Sequence, residues 1–174
     1  QRNAYDEYIL YLDREFKRLF DYLDDAGVLS NTWVVFTSDH GELFERGIRG
    51  HISPMLYQPV VQVPLLIFEP GRTSRLDVHA PTSAIDVLPT LLHVSGERPA
   101  DWTEGRILPP FAPEEPNPER NVFALHAKTN DPEKALTHAT AMLVRGRYKL
   151  IHFFGYEELG AGVERAELYD LQND

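Results

Sequence analysis

Trp33-Val34-Val35-Phe36-Thr37-Ser38-Asp39-His40-Gly41-Glu42 is the stretch that decides the fold. Its first five residues are β-branched or aromatic on both faces, and Ser30-Asn31 and Asp39 bound them. Such a run suits a central strand covered by helices on either side. Upstream, Tyr5, Ile9, Leu12, Phe16, Leu19, Phe20 and Leu23 recur at spacings of three and four among charged residues, which predicts a helix over 4–26 with one buried face. Gly27 then stands where a helix cap is expected. Downstream, Pro64-Leu65-Leu66-Ile67-Phe68 reads as a second buried strand closed by Glu69-Pro70-Gly71. Pro64 belongs at its first position, because proline has no N–H to give to a ladder. Ser83 to Val94 reads as helical, with Asp86 three residues after Ser83, Pro89 opening a second and longer piece, and Gly96 ending it. Alternating helix, strand, loop, strand and helix imply an α/β layered domain.

Beyond Gly96 the character changes. Six of the 13 prolines fall between Pro99 and Pro118, which predicts an extended connection over the surface. Val122 to Leu125 reads as a short strand, and Ala141 to Val144 and Tyr148 to Phe153 flank Arg145-Gly146-Arg147 as a hairpin. Glu167 to Leu171 adds a further strand. The expected division is therefore 1–118 as α/β and 119–174 as a small antiparallel subdomain. Arg145, Arg147 and Lys149 read as a solvated basic face of that hairpin.

Composition narrows the chemistry. With 43% hydrophobic and 25% charged residues over 174 positions, the chain reads as globular rather than disordered or coiled-coil. It has no cysteine, which excludes a disulfide, a thiolate metal site and a cysteine nucleophile within these residues. A metal here must be held by Asp, Glu, His or Asn. The net charge of −10 argues against broad electrostatic binding to nucleic acid or anionic lipid. Apolar runs such as Val63 to Phe68 fall well short of the roughly 20 residues needed to span a bilayer. Gln1 to Asp6 has no basic patch leading into an apolar stretch, so no signal peptide is expected in these residues.

Asp39 and His40 sit at the C-terminal end of the predicted strand, where ligands bind in open α/β sheets. A carboxylate and a neutral imidazole side by side can approach one cation, and Gly41 permits a tight turn beside them. His79, His93, His126, His138 and His152 read as structural or exposed.

Val34 to Glu42 resembles the metal-binding strand end of the sulfatase branch of the alkaline phosphatase superfamily. The resemblance continues in order along the chain. It takes in the helix of Tyr5 to Leu23, Gly50-His51 with Leu56-Tyr57 and Val63-Pro64-Leu65-Leu66-Ile67, and Asp86-Val87-Leu88-Pro89-Thr90-Leu91-Leu92 with Gly96. Tyr148-Lys149-Leu150-Ile151 and Glu167-Leu168-Tyr169-Asp170-Leu171 with Asp174 complete it. The implied fold is part of a three-layer α/β/α sheet followed by a small antiparallel sheet.

The implied activity is hydrolysis of a sulfuric ester at a divalent cation, usually calcium, with Mn2+ or Zn2+ as alternatives. Asp39 and His40 match the family's later pair of metal ligands. His51 matches a loop Lys or His that contacts the anionic ester or its leaving group, with Arg46 and Arg49 as rivals for that role. The family's two early aspartates have no counterpart, since Asp6, Asp13, Asp21, Asp24 and Asp25 lie on the predicted helix. The formylglycine nucleophile, made from a Cys/Ser-x-Pro-x-Arg motif, is also absent, so it is expected upstream of this chain. Gln58 follows Tyr57 where the family commonly has an acidic residue. Phosphoester or phosphonate-ester hydrolysis or phosphoryl transfer on the same scaffold, and an inactive or binding remnant, are the competing readings. The expected partner is a small anionic ester; compartment and oligomeric state stay open.

Overall fold

Helix α1 runs over Arg2–Asp25 and lies against a short antiparallel pair, β1 (Val34–Thr37) with β2 (Leu65–Phe68), registered Val34 to Phe68 and Thr37 to Leu65. This computed structural model describes residues 2–51, 54–129, 131–157 and 164–174. Phe16 and Phe20 of α1 meet Phe36 and Phe68 of the strands, with ring centroids 4.8 Å apart for both Phe16–Phe36 and Phe20–Phe68. The predicted helix is present, and Gly27 follows it with its N–H on Asp24 O at 2.8 Å.

Its buried face is shorter than the periodicity predicts. Ile9, Leu12 and Leu19 remain exposed, and only Phe16, Phe20 and Leu23 of that stripe are half-buried. The reason is length. A 24-residue helix is about 36 Å long, whereas four-residue strands extend about 13 Å, so the pair covers only a few of the helix's turns. Pro64 stands one residue before β2 rather than at its first position, and its carbonyl accepts the Thr37 hydroxyl at 2.8 Å.

The chain groups into two units. One contains α1, β1, β2 and the loops up to Arg75; Pro54–Leu56 group with Leu76–Asp174 in the other. In the second unit a 3-10 turn, Ala84–Asp86, leads into a helix over Val87–Val94. Pro89 is fully buried at its third position rather than opening a separate piece. No hydrogen bond is lost there, because the first N–H groups of a helix have no partner within it.

Four strands follow: β3 (Val122–Ala127), β4 (Ala139–Arg145), β5 (Tyr148–Phe154) and β6 (Arg165–Asp170), an antiparallel meander in sequence order. Met142, Ile151 and Phe153 are buried on one face, whereas Phe123, Leu150 and Leu168, aligned across β3, β5 and β6, are exposed on the other. Lys149 corrects the predicted basic face. Strand alternation puts it on the side of Ile151 and Phe153, where it is only 1% exposed. Burial pushes its ammonium down to about 8. Arg145 and Arg147 do stay exposed, 3.7 Å from Glu119 and 3.1 Å from Asp170 respectively.

The proline-rich connection is also more than a surface crossing. Leu108 is buried, its N–H donates to Thr90 Oγ1 at 2.8 Å, and the Arg106 N–H donates to Asp86 Oδ1 at 2.8 Å. Asp86, fully buried, also accepts the Ser83 N–H at 2.9 Å and both terminal nitrogens of Arg120, at 2.5 and 2.7 Å. Burial alone raises the Asp86 carboxyl's pKa. The Arg120 guanidinium and the two backbone N–H groups reverse that and hold it below the usual carboxylate range.

Candidate active site

The site grows out of the C-terminal end of β1. After Thr37 the chain leaves the ladder and folds back on itself. Ser38 Oγ donates to the His40 carbonyl at 2.7 Å, and the His40 N–H donates to Asp39 Oδ1 at 2.9 Å. That N–H is the first cause that holds the Asp39 carboxyl below its usual range. The Asp39 side chain is 86% exposed, so it is accessible to a ligand from solvent.

His40 Nδ1 lies 2.9 Å from Gly41 O. A carbonyl only accepts, so Nδ1 carries a proton, and in the neutral imidazole the lone pair is on Nε2. Nε2 faces Asp39 Oδ2 at 3.8 Å. Bonds from one cation to nitrogen and oxygen ligands run from about 2.0 to 2.6 Å, so two ligand atoms at that separation fit a shared divalent ion. Asp39 Oδ2 and His40 Nε2, the two side chains read from the sequence as a pair, thus lie close enough to reach one ion.

Gly41 is needed for close approach. Its N–H donates to Val60 O at 2.7 Å, and a Cβ built on it would stand 2.0 Å from the Pro59 carbonyl oxygen. The short helix α2, Gln58–Val61, with Val60 buried, therefore braces the turn that carries His40.

Glu42 and His51 are nine positions apart and meet because the loop between them closes. Leu43, fully buried, and Gly50 form an isolated antiparallel bridge, with the Gly50 N–H on Leu43 O at 3.0 Å. Gly50 takes φ +96°, a conformation costly for any residue with a side chain. His51 Nδ1 then lies 2.8 Å from Glu42 Oε2, and its ring stacks on that of His40 at 3.8 Å with an interplanar angle of 27°. Ligand atoms of His40, Glu42 and His51 come within 4.8 Å of one another.

The structure also places the two arginines considered alongside His51. The Arg46 guanidinium sits 4.9 Å over the Tyr57 ring, and Arg49 lines a cavity of about 320 Å³ with Arg2, Asn3 and Phe44. The helix aspartates stay on α1, where Asp21 pairs with Lys17 at 2.6 Å. Glu42 had no role in the sequence reading although it ends the Asp-His-Gly-Glu stretch. Its partner lies across a loop whose closure linear spacing does not reveal.

Residues 1–97 match the family model described as Sulfatase. The chain belongs to the sulfatase family. Residues 52–174 match the family described as N-sulphoglucosamine sulphohydrolase, C-terminal. Among curated relatives, the choline-sulfatase of Rhizobium meliloti (strain 1021) is 30% identical over 99% of this chain and 31% of that protein. Arylsulfatase A of Homo sapiens is 30% identical over 71% of this chain and 29% of that protein. Among solved structures, a phosphonate monoester hydrolase from Silicibacter pomeroyi superposes with a TM-score of 0.73 at 28% identity, over 93% of this chain and 33% of that one. The sulfatase chain thus spans under a third of the length of these curated relatives. Its neighbours carry the alkaline-phosphatase-like α/β fold that the motif order predicted.

Proposed function

We propose that this chain is part of a metal-dependent sulfuric ester hydrolase, in which Asp39 and His40 hold a divalent cation, Ca2+ first among candidates, and His51 contacts the ester. The observation that carries this is the pairing of Asp39 Oδ2 with His40 Nε2 at 3.8 Å, with the His51 ring stacked alongside. The net reaction takes a sulfate monoester and water to an alcohol, sulfate and a proton. When bound, the cation supplies positive charge for the sulfuryl oxygens and acidifies a coordinated hydroxyl.

The chain's own residues do the rest. Asp39 contributes negative charge to the cation site, and His40 contributes a neutral nitrogen held in orientation by the Gly41 carbonyl. His51, with Nδ1–H donating to Glu42, in its imidazolium form donates Nε2–H to an ester oxygen as a hydrogen bond or as the proton for the leaving oxygen. The formylglycine nucleophile and the remaining metal ligands belong to the parent protein outside these residues. Residues 1–118 would then be the distal part of the catalytic domain and 119–174 its C-terminal subdomain.

Asp39→Ala in the full-length enzyme should lose bound metal and aryl sulfatase activity together, as read by elemental analysis and turnover. Retention of both overturns the assignment. A second reading, hydrolysis of a phosphonate or phosphate ester, is supported by the similarity to the Silicibacter pomeroyi enzyme. A panel containing an aryl sulfate, an aryl phosphonate and an aryl phosphodiester separates the two by relative kcat/KM.

A further inference from the structure

We propose that Glu42 is a positioning residue that aims His51 at the ester. This deepens, and rests on, the role proposed above for His51. A histidine on a loop is free to rotate about two side-chain bonds, and an imidazole has two nitrogens that compete for the same task. Glu42 removes both freedoms. Its carboxylate only accepts, so the 2.8 Å contact assigns the proton to His51 Nδ1 and leaves Nε2 as the outward nitrogen.

The carboxylate is itself held. Glu42 adjoins the Leu43–Gly50 bridge, and a Cβ added at Gly50 would lie 3.6 Å from Glu42 Oε1, so loop backbone and carboxylate are packed side by side. The Glu42 side chain is only 20% exposed, against 40% for His51, so the acceptor is the more sheltered partner. Stacking on His40 fixes the plane of the His51 ring, and the bond to Glu42 fixes its rotation within that plane. Orienting partners of metal-bound histidines typically change activity by about 10- to 100-fold, and the same scale is expected for a substrate-facing one.

The test uses the full-length, metal-loaded enzyme with an aryl sulfate. Glu42→Ala should lower kcat by about 10- to 100-fold while bound metal stays at the wild-type ratio. Glu42→Gln keeps an oxygen acceptor for Nδ1–H and should recover most of that loss. Combined with His51→Ala, Glu42→Ala should add little further loss, since two residues acting as one unit are non-additive. Equal damage from Gln and Ala, or full additivity with His51→Ala, overturns the inference. So does loss of metal in Glu42→Ala, which would make Glu42 a ligand.

In unmutated enzyme labelled with 15N at histidine, the His51 Nδ1 signal should be that of a protonated nitrogen; an unprotonated Nδ1 overturns the inference whether or not the variants fold. If His51→Ala alone leaves kcat and KM unchanged, the proposed role of His51 fails. If His51→Ala impairs turnover and Glu42→Ala does not, only the positioning role fails.

Discussion

Removing the Asp86 carboxylate should loosen the second unit far more than its single charge suggests. Asp86 is fully buried and accepts four hydrogen bonds: two from Arg120 and one each from the Arg106 and Ser83 N–H groups. In Asp86→Ala the guanidinium, whose side chain is only 12% exposed, loses its counter-ion, and two backbone donors lose their acceptor. Breaking a buried pair from one side costs about 3–5 kcal/mol. At roughly 1.4 kcal/mol per tenfold, the amides that depend on the network should exchange two orders of magnitude faster or more.

Hydrogen exchange followed by mass spectrometry on the full-length enzyme reads this at the Arg106 and Leu108 amides, which bond to Asp86 and Thr90. The double variant Asp86→Leu with Arg120→Met should cost less than Asp86→Ala, because no charge is left stranded. The pH dependence has a definite sign. The folded carboxyl ionises below its ordinary range, so its stabilisation is complete above the unfolded value and is lost as pH falls through the folded one. Asp86→Ala should therefore flatten the acid limb of the melting profile. A cost under about 1 kcal/mol, set against the range expected for a broken buried pair, with unchanged exchange at both amides, refutes the reasoning.

Two further outcomes follow from buried neighbours. Burial lowers Lys149 to about 8 from 10.5, so the unfolded chain binds more protons between those values. Stability should rise as pH climbs through that window, by up to about 3 kcal/mol. Lys149→Met should abolish the rise in thermal melts at pH 7 to 10.5; an unchanged slope sinks the idea. Gly41→Ala forces a methyl to within 2.0 Å of the Pro59 oxygen and must displace either α2 or the turn carrying His40. With His40 in its proposed role, it should cut kcat in the full-length enzyme by at least about tenfold, the lower end expected when a metal ligand loses its support, and near-normal turnover would contradict the bracing role of α2.

Much of the candidate site was legible because its signals are local. Asp39 and His40 are adjacent, they end a run of β-branched and aromatic residues, and a strand end is where an α/β sheet presents ligands. Glu42 was visible but mute, since its partner His51 lies across a loop closed by one bridge at Leu43 and Gly50. Lys149 was misread because a charged residue beside two arginines looks solvated until strand alternation sets it beside Ile151 and Phe153. Asp86 showed its local partner Ser83, but not Arg120, 34 residues away.

The sequence by itself determined the helix of 4–26 to within its ends, the strands and the family, because periodicity, turn chemistry and motif order are properties of short segments. Only the tertiary structure decided which face each strand buries, how far α1 is covered, and which side chains meet across loops. Those outcomes depend on long-range packing and loop closure, which set side-chain burial and partners independently of spacing along the chain.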